Sequence, residues 1–210
     1  GQGDSILIRQ GEQSMLIDAG NNNKGTTVWS YLLHQNVDHL TYAIGTHPDA
    51  DHIGGMDVVL YKIDCDTVML PACASDTRTY EELIQTIGQR GQKVVTPKQG
   101  QVYTLGKASF QILTDTDKDY GDNTNDYSLA FRLTFGDNSF LFTGDAEKAA
   151  EKAQHLRFGK AELTPDELSR LSKAQKREMY AAHAARSAVH REVDQYEDEN
   201  VGVQALSEGE

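Results

Sequence analysis

The sequence predicts an α/β fold with a helical segment appended, and three observations carry that prediction. Up to about residue 150, short strand-like runs alternate with helix-like ones. One apolar strand-like run ends directly on "THPDADHIGG", residues 46–55, a stretch dense in metal-binding residue types. Beyond residue 150 the strand-like runs stop and a long helical pattern takes over.

Taken in order, "SILIRQGEQSMLIDAG" reads as a hairpin, two apolar or alternating runs with Gly11 and Glu12 at the turn. "TTVWSYLLHQN" has helical spacing, with Val28, Tyr31 and Leu32 on one face. "HLTYAIGTH" is a buried strand, "GGMDVVLYKI" a helix and "DTVMLPA" extended. "TYEELIQTIGQRG" is helical again, stopped by Gly91. "KVVTP", "QVYTLG" and "ASFQILTD" are strands, and "YSLAFRLTFGDNSFLFTGD" is a hairpin turning at Gly136-Asp137-Asn138. In "LTPDELSRLSKAQKREMYAAHAARSAVHREVDQY", Thr164, Pro165 and Glu167 form a helix start with a capping box. The sequence thus divides into a domain over 1–153, a helical extension over 154–193 and an acidic, solvated tail over 194–210.

Composition narrows the function classes. No run of about 18 apolar residues occurs, so no segment is expected to span a membrane. The chain starts at Gly1, so an upstream signal or anchor and the compartment, extracellular or cytoplasmic, stay open. A net charge of −12 argues against a protein that coats nucleic acid. It leaves room for an enzyme acting on phosphodiesters, because bound divalent cations supply local positive charge. Cys65 and Cys73 have no CxxC spacing and read as two free thiols.

His47, Asp49, Asp51 and His52 follow an apolar strand and precede Gly54-Gly55, where a helix is expected to begin. In an extended chain, residues 47, 49 and 51 point the same way, and His52 turns in as the helix starts. Imidazole and carboxylate ligands suit zinc, manganese or iron. The alternative reading is a helix cap, with Asp49 or Asp51 as the N-cap and the histidines as polar neighbours.

"HPDADHIGG" resembles the HxHxDH signature of the metallo-β-lactamase superfamily, with aspartate at its second position. "GQGDSILIRQGEQSMLIDAG" resembles the family's opening hairpin with its Asp-x-Gly turn at Asp18 and Gly20. "NDYSLAFRL" lies where the third motif falls, and "FLFTGDAE" supplies the Gly-Asp at Asp145. Together these motifs are most similar to the ComEC-like subgroup, whose namesake works in bacterial DNA uptake. The resemblance covers about residues 1–150. It implies an αββα sandwich of two mixed sheets flanked by helices, with a metal centre at one sheet edge. By the same resemblance, His47 and Asp49 belong to a first metal site, Asp51 and His52 to a second, and Asp145 bridges them. Asp51 is the implied base or nucleophile-orienting group. Asp18 is implied as a supporting carboxylate, and Asn125 stands nearest the place of the missing third-motif histidine. The implied cofactors are divalent ions, Mn or Zn, one or two per chain.

The family's last ligand histidine, in a "HHGS"-like stretch, has no counterpart; His155, His183 and His190 lie in or near the helical segment. The second half of the sandwich therefore reads as truncated, with an uncovered strand edge or apolar face. The helix at 164–193 can cover it, within the chain or by forming a homodimer. The resemblance implies a metal-dependent hydrolase, a phosphodiesterase or nuclease with nucleic acid or another phosphodiester as partner. The competing readings are a degenerate domain that binds a metal or a partner without turnover, and a hydrolase of small esters or thioesters.

Overall fold

The computed structural model describes residues 3–147 and Ala150. The helical extension, the acidic tail, the capping box at Thr164 and the dimer expected through that helix lie outside the described residues.

Two sheets form the frame. The first runs β1 (Ile6–Gln10), β2 (Gln13–Ile17), β3 (His39–Ile44), β4 (Asp64–Met69) and β5 (Val94–Val95), in that spatial order. β1 and β2 are the antiparallel hairpin expected around Gly11, and the remaining pairings are parallel. Parallel neighbours need crossovers. Between β2 and β3 the crossover is α1 (Gly25–His34), and between β4 and β5 it is α4 (Arg78–Arg90). β3 and β4 are joined by α2 (Ala50–Ile53) and α3 (Met56–Lys62). The α4 boundaries follow their sequence signals. Thr77 Oγ1 accepts from Tyr80 N at 3.3 Å, and Gly91 takes the left-handed conformation at φ 63° that closes the helix.

The second sheet runs β6 (Val102–Leu105), β7 (Ala108–Ile112), β8 (Phe131–Phe135) and β9 (Asn138–Phe142). Among the described residues it is antiparallel throughout. The expectation of two mixed sheets therefore holds for the first sheet only: no α-helix lies between β6 and β9 to carry a parallel return. The β8–β9 turn is Gly136-Asp137, with Asn138 already paired to Phe135.

Side-chain alternation sorts the core into two layers. Leu16, Val28, Leu32, Met56, Leu60 and Leu83 fill the space between the helices and the first sheet. Met15, Ile17, Ile44, Phe110, Phe131 and Leu133 fill the space between the two sheets. Because Phe110 and Leu133 point inward, Gln111 and Arg132 point outward, and this polar outer face carries no α-helix among the described residues. The described residues thus build three of the four layers of the expected sandwich. Among the described residues β9 pairs only with β8, and Phe135 and Phe140 are 45% and 53% exposed.

Candidate metal centre

Three strand ends meet at one place. Asp18 follows β2, Thr46 and His47 follow β3, and Gly144-Asp145 follows β9. The two sheets are stitched here by Leu129 N, which donates to Thr46 O at 2.9 Å. Ligands gather at the carboxyl ends of parallel strands because the backbone there turns away and leaves a crevice.

Asp18 organises the floor. It is 1% exposed and sits at φ 55°, a left-handed conformation unusual for a residue with a side chain. Its Oδ1 accepts from Thr46 N at 2.8 Å and its Oδ2 from Thr46 Oγ1 at 2.7 Å. Oδ2 also lies 2.8 Å from His52 Nδ1. Since Thr46 Oγ1 spends its proton on Asp18, it accepts from His47 Nδ1–H at 3.0 Å. Both imidazoles therefore hold a proton on Nδ1, and each turns Nε2 toward the same space, with ring centroids 4.2 Å apart.

The ligand loop departs from the extended chain expected over residues 47–51. Helix α2 begins at Ala50, so Asp51 and His52 sit on a helical turn and the second helix starts only after Gly55. Asp49 occupies the N-cap position, yet its side chain makes no capping bond. Instead Asp49 Oδ1 accepts from Thr124 Oγ1 at 2.8 Å and Oδ2 lies 3.8 Å from His47 Nε2. Gly54 and Gly55 pack closely against the loop after Asp18. A Cβ on Gly54 would lie 2.4 Å from Asn22 N, and one on Gly55 2.4 Å from Ala19 O.

Ligand atoms of His47, His52 and Asp145 all lie within 4.8 Å of one another. His52 Nε2 stands 3.5 Å from Asp145 Oδ1 and 4.0 Å from Asp51 Oδ2. The carboxylates of Asp49, Asp51 and Asp145 are each more than a third exposed, whereas both imidazoles are buried. Asn125 Nδ2 donates to Glu147 Oε1 at 3.4 Å, two residues beyond Asp145. Asp4 and Ser5 flank the floor, with Asp4 O accepting from Gly20 N at 2.9 Å and Ser5 Oγ donating to Asp18 O at 3.3 Å.

Electrostatics follow from this packing. Burial alone would lower the His52 imidazole, but the hydrogen bond and charge of Asp18, helped by Asp145 and Asp51, pull it up to about 9. His47 is lowered by burial and by the neighbouring His52 charge. Asp4 is raised by burial, against the pull of His52. Two neutral-capable nitrogens beside several carboxylates form a donor set suited to a divalent ion, and the oxygen-rich balance suits the harder members of the series.

Thr46 and Asp126 escaped the sequence reading. Thr46 relays Asp18 to His47, and a threonine at a strand end carries no signature of that role. Asp126 is buried beneath the turn after Asp145, inside the "NDYS" stretch and next to Asn125.

A sequence model described as the metallo-beta-lactamase superfamily matches residues 1–184. The ComE operon protein 3 of Bacillus subtilis (strain 168) is 26% identical over 174 residues, covering 72% of this chain and 22% of that protein's length. Among solved structures, the metallo-beta-lactamase fold protein YhfI from Bacillus subtilis is 17% identical, with 68% of this chain and 55% of that chain covered and a TM-score of 0.47. A metallo-beta-lactamase of Cronobacter sakazakii with a HARLDQ motif is also 17% identical, with 66% and 54% covered and a TM-score of 0.45.

Proposed function

This chain belongs to the metallo-beta-lactamase superfamily, and from that premise we propose that it is a metal-dependent hydrolase of phosphodiester bonds. The observation that carries the reading is the convergence of His47, His52 and Asp145 within 4.8 Å. Asp49 beside His47 at 3.8 Å and Asp51 beside His52 at 4.0 Å support these as the pairs that would hold divalent ions, with Asp145 as a further carboxylate ligand. A bound divalent ion, manganese or zinc, supplies the positive charge that acidifies water and draws electron density from a phosphoryl oxygen.

The chain's own residues do the rest. Asp18 and Thr46 hold both imidazoles with Nε2 forward. Asp51, on the exposed rim, orients the attacking water and takes its proton. A preference for phosphodiesters is supported by the ComEC-like motifs and by a carboxylate-rich rim that favours ions with high affinity for phosphoryl oxygen. The test is Mn²⁺-dependent hydrolysis of bis(p-nitrophenyl) phosphate and of single- and double-stranded DNA, compared with Asp51→Asn. Metal-dependent cleavage that falls by about 10²–10⁴-fold in the variant, the range for losing a positioned base, supports the reading. Wild type that holds its ion and cleaves none of these sinks it.

A second reading, an ion- or partner-binding domain without turnover, draws on one observation. Among the described residues only His47 and His52 bring imidazoles to the cluster. Bound ion without hydrolysis of phosphodiesters, esters or thioesters would favour this reading.

A further inference from the structure

We propose that Asp126 is the positioning residue for Asp145, its buried carboxylate clamping the turn that carries Asp145 to the metal centre. This inference rests on the metal-centre reading and adds to it a role for the third motif, which here lacks its histidine.

Asp145 needs external support. Apart from its 3.5 Å approach to His52, its carboxylate has no hydrogen-bond partner among the described residues, so its place is set by the backbone on either side. Upstream, Gly144 sits at φ 51° and packs so closely that a Cβ there would lie 2.9 Å from Thr46 Cβ and 3.1 Å from Ser128 Oγ. Downstream, Asp126 Oδ1 accepts from Glu147 N at 3.2 Å and from Ala150 N at 3.1 Å. Asp126 Oδ2 accepts from Asn123 Nδ2 at 3.2 Å, and Asn123 Oδ1 accepts from Asn125 N at 3.3 Å.

Asp126 is only 5% exposed, and a carboxylate is costly to bury unless donors surround it. Here two backbone N–H groups and an amide meet that need, and charge-assisted bonds of this kind are among the stronger ones. One short segment, residues 123–128, thus grips the Gly144-Asp145 turn from both sides: Ser128 beneath Gly144, Asp126 behind Glu147. The motif acts on the ion through Asp145 rather than by ligating it.

The experiment is Mn²⁺ titration of the full chain, read by the electron paramagnetic resonance of free and bound ion, with thermal unfolding alongside. Four proteins are compared: wild type, Asp126→Ala, Asp126→Asn, and the exchange Asn123→Asp with Asp126→Asn. Partners that orient metal ligands contribute about 10–100-fold to affinity, and Asp126→Ala is expected to lose that much. Asp126→Asn alone sets an amide donor against the Asn123 amide and weakens binding, while the exchange restores a donor–acceptor pair and returns affinity to the wild-type range. That rescue keeps the test decisive if Asp126→Ala does not fold. Wild-type affinity in every single variant, or an exchange variant that folds but stays weak, overturns the proposal alone. Wild type that takes up no Mn²⁺ overturns the metal-centre reading as well.

Discussion

His52 and Asp18, 2% and 1% exposed, are joined by a 2.8 Å hydrogen bond that both orients a candidate metal ligand and buries a charge pair. Removing one partner of such a pair strands the other. Asp18→Ala is expected to destabilise the protein by about 3–5 kcal/mol and to abolish tight ion binding, because Thr46 and His52 lose their common acceptor. Urea unfolding and Mn²⁺ titration check the two effects separately. A variant with wild-type stability would show that the floor of the site is held by something else.

The same pair sets a pH dependence. With His52 pulled up to about 9 in the folded, metal-free protein and about 6.5 in the unfolded chain, the folded state binds the proton more tightly. The stabilisation is fully present below pH 6.5 and is lost as pH rises through about 9; it is on the order of 3 kcal/mol. Chelator-treated protein is expected to lose urea resistance over that window, and Asp18→Asn to flatten the slope. Ion affinity moves the opposite way over the same window, rising with pH, because Nε2 must be free of its proton to coordinate.

Ion stoichiometry separates the proposed ligands. Metal content per chain after incubation with Mn²⁺ or Zn²⁺ is expected to fall in Asp145→Ala and to fall to nothing in the double variant Asp51→Ala with Asp145→Ala. Full content in the double variant would move the centre elsewhere in the chain.

Thiol chemistry offers a check that does not involve the metal. Burial pushes the Cys65 thiol up to about 12, and both cysteines are unpaired. Cys73 is half-buried and is raised by burial and by the nearby Asp49 charge. Iodoacetamide at pH 8 is expected to add slowly at Cys73 alone in the native protein and at both residues in denaturant, counted by intact mass. Rapid native labelling of Cys65 would contradict the packing of the helical layer.

Much of the fold was legible because its signals are local. Alternation marked the β1–β2 and β8–β9 hairpins, and Gly91 marked the end of α4. The ligand loop was legible because four ligand-type residues fall within six positions after an apolar strand. The short helix α2 was not, since four residues carry no helical period. Nor was the choice between Asn125 and Asp126, because a 3-10 turn over Thr124–Tyr127 decides which neighbour faces inward. The pairing of β7 with β8 was equally hidden, since alternation tells which face is buried but not which strand lies beside which across a long connection.

The strand ends that form the centre come from different parts of the folding problem. The second sheet is built wholly from neighbours in sequence, whereas β2, β3 and β4 meet only through crossovers. His47 and His52 belong to the nonlocal sheet and Asp145 to the local one. An ion held by all three would act as a rivet between the two sheets: it would gain its full set of contacts only where both are in place, and at 100 times its dissociation constant it would add about 2.7 kcal/mol to keeping them so.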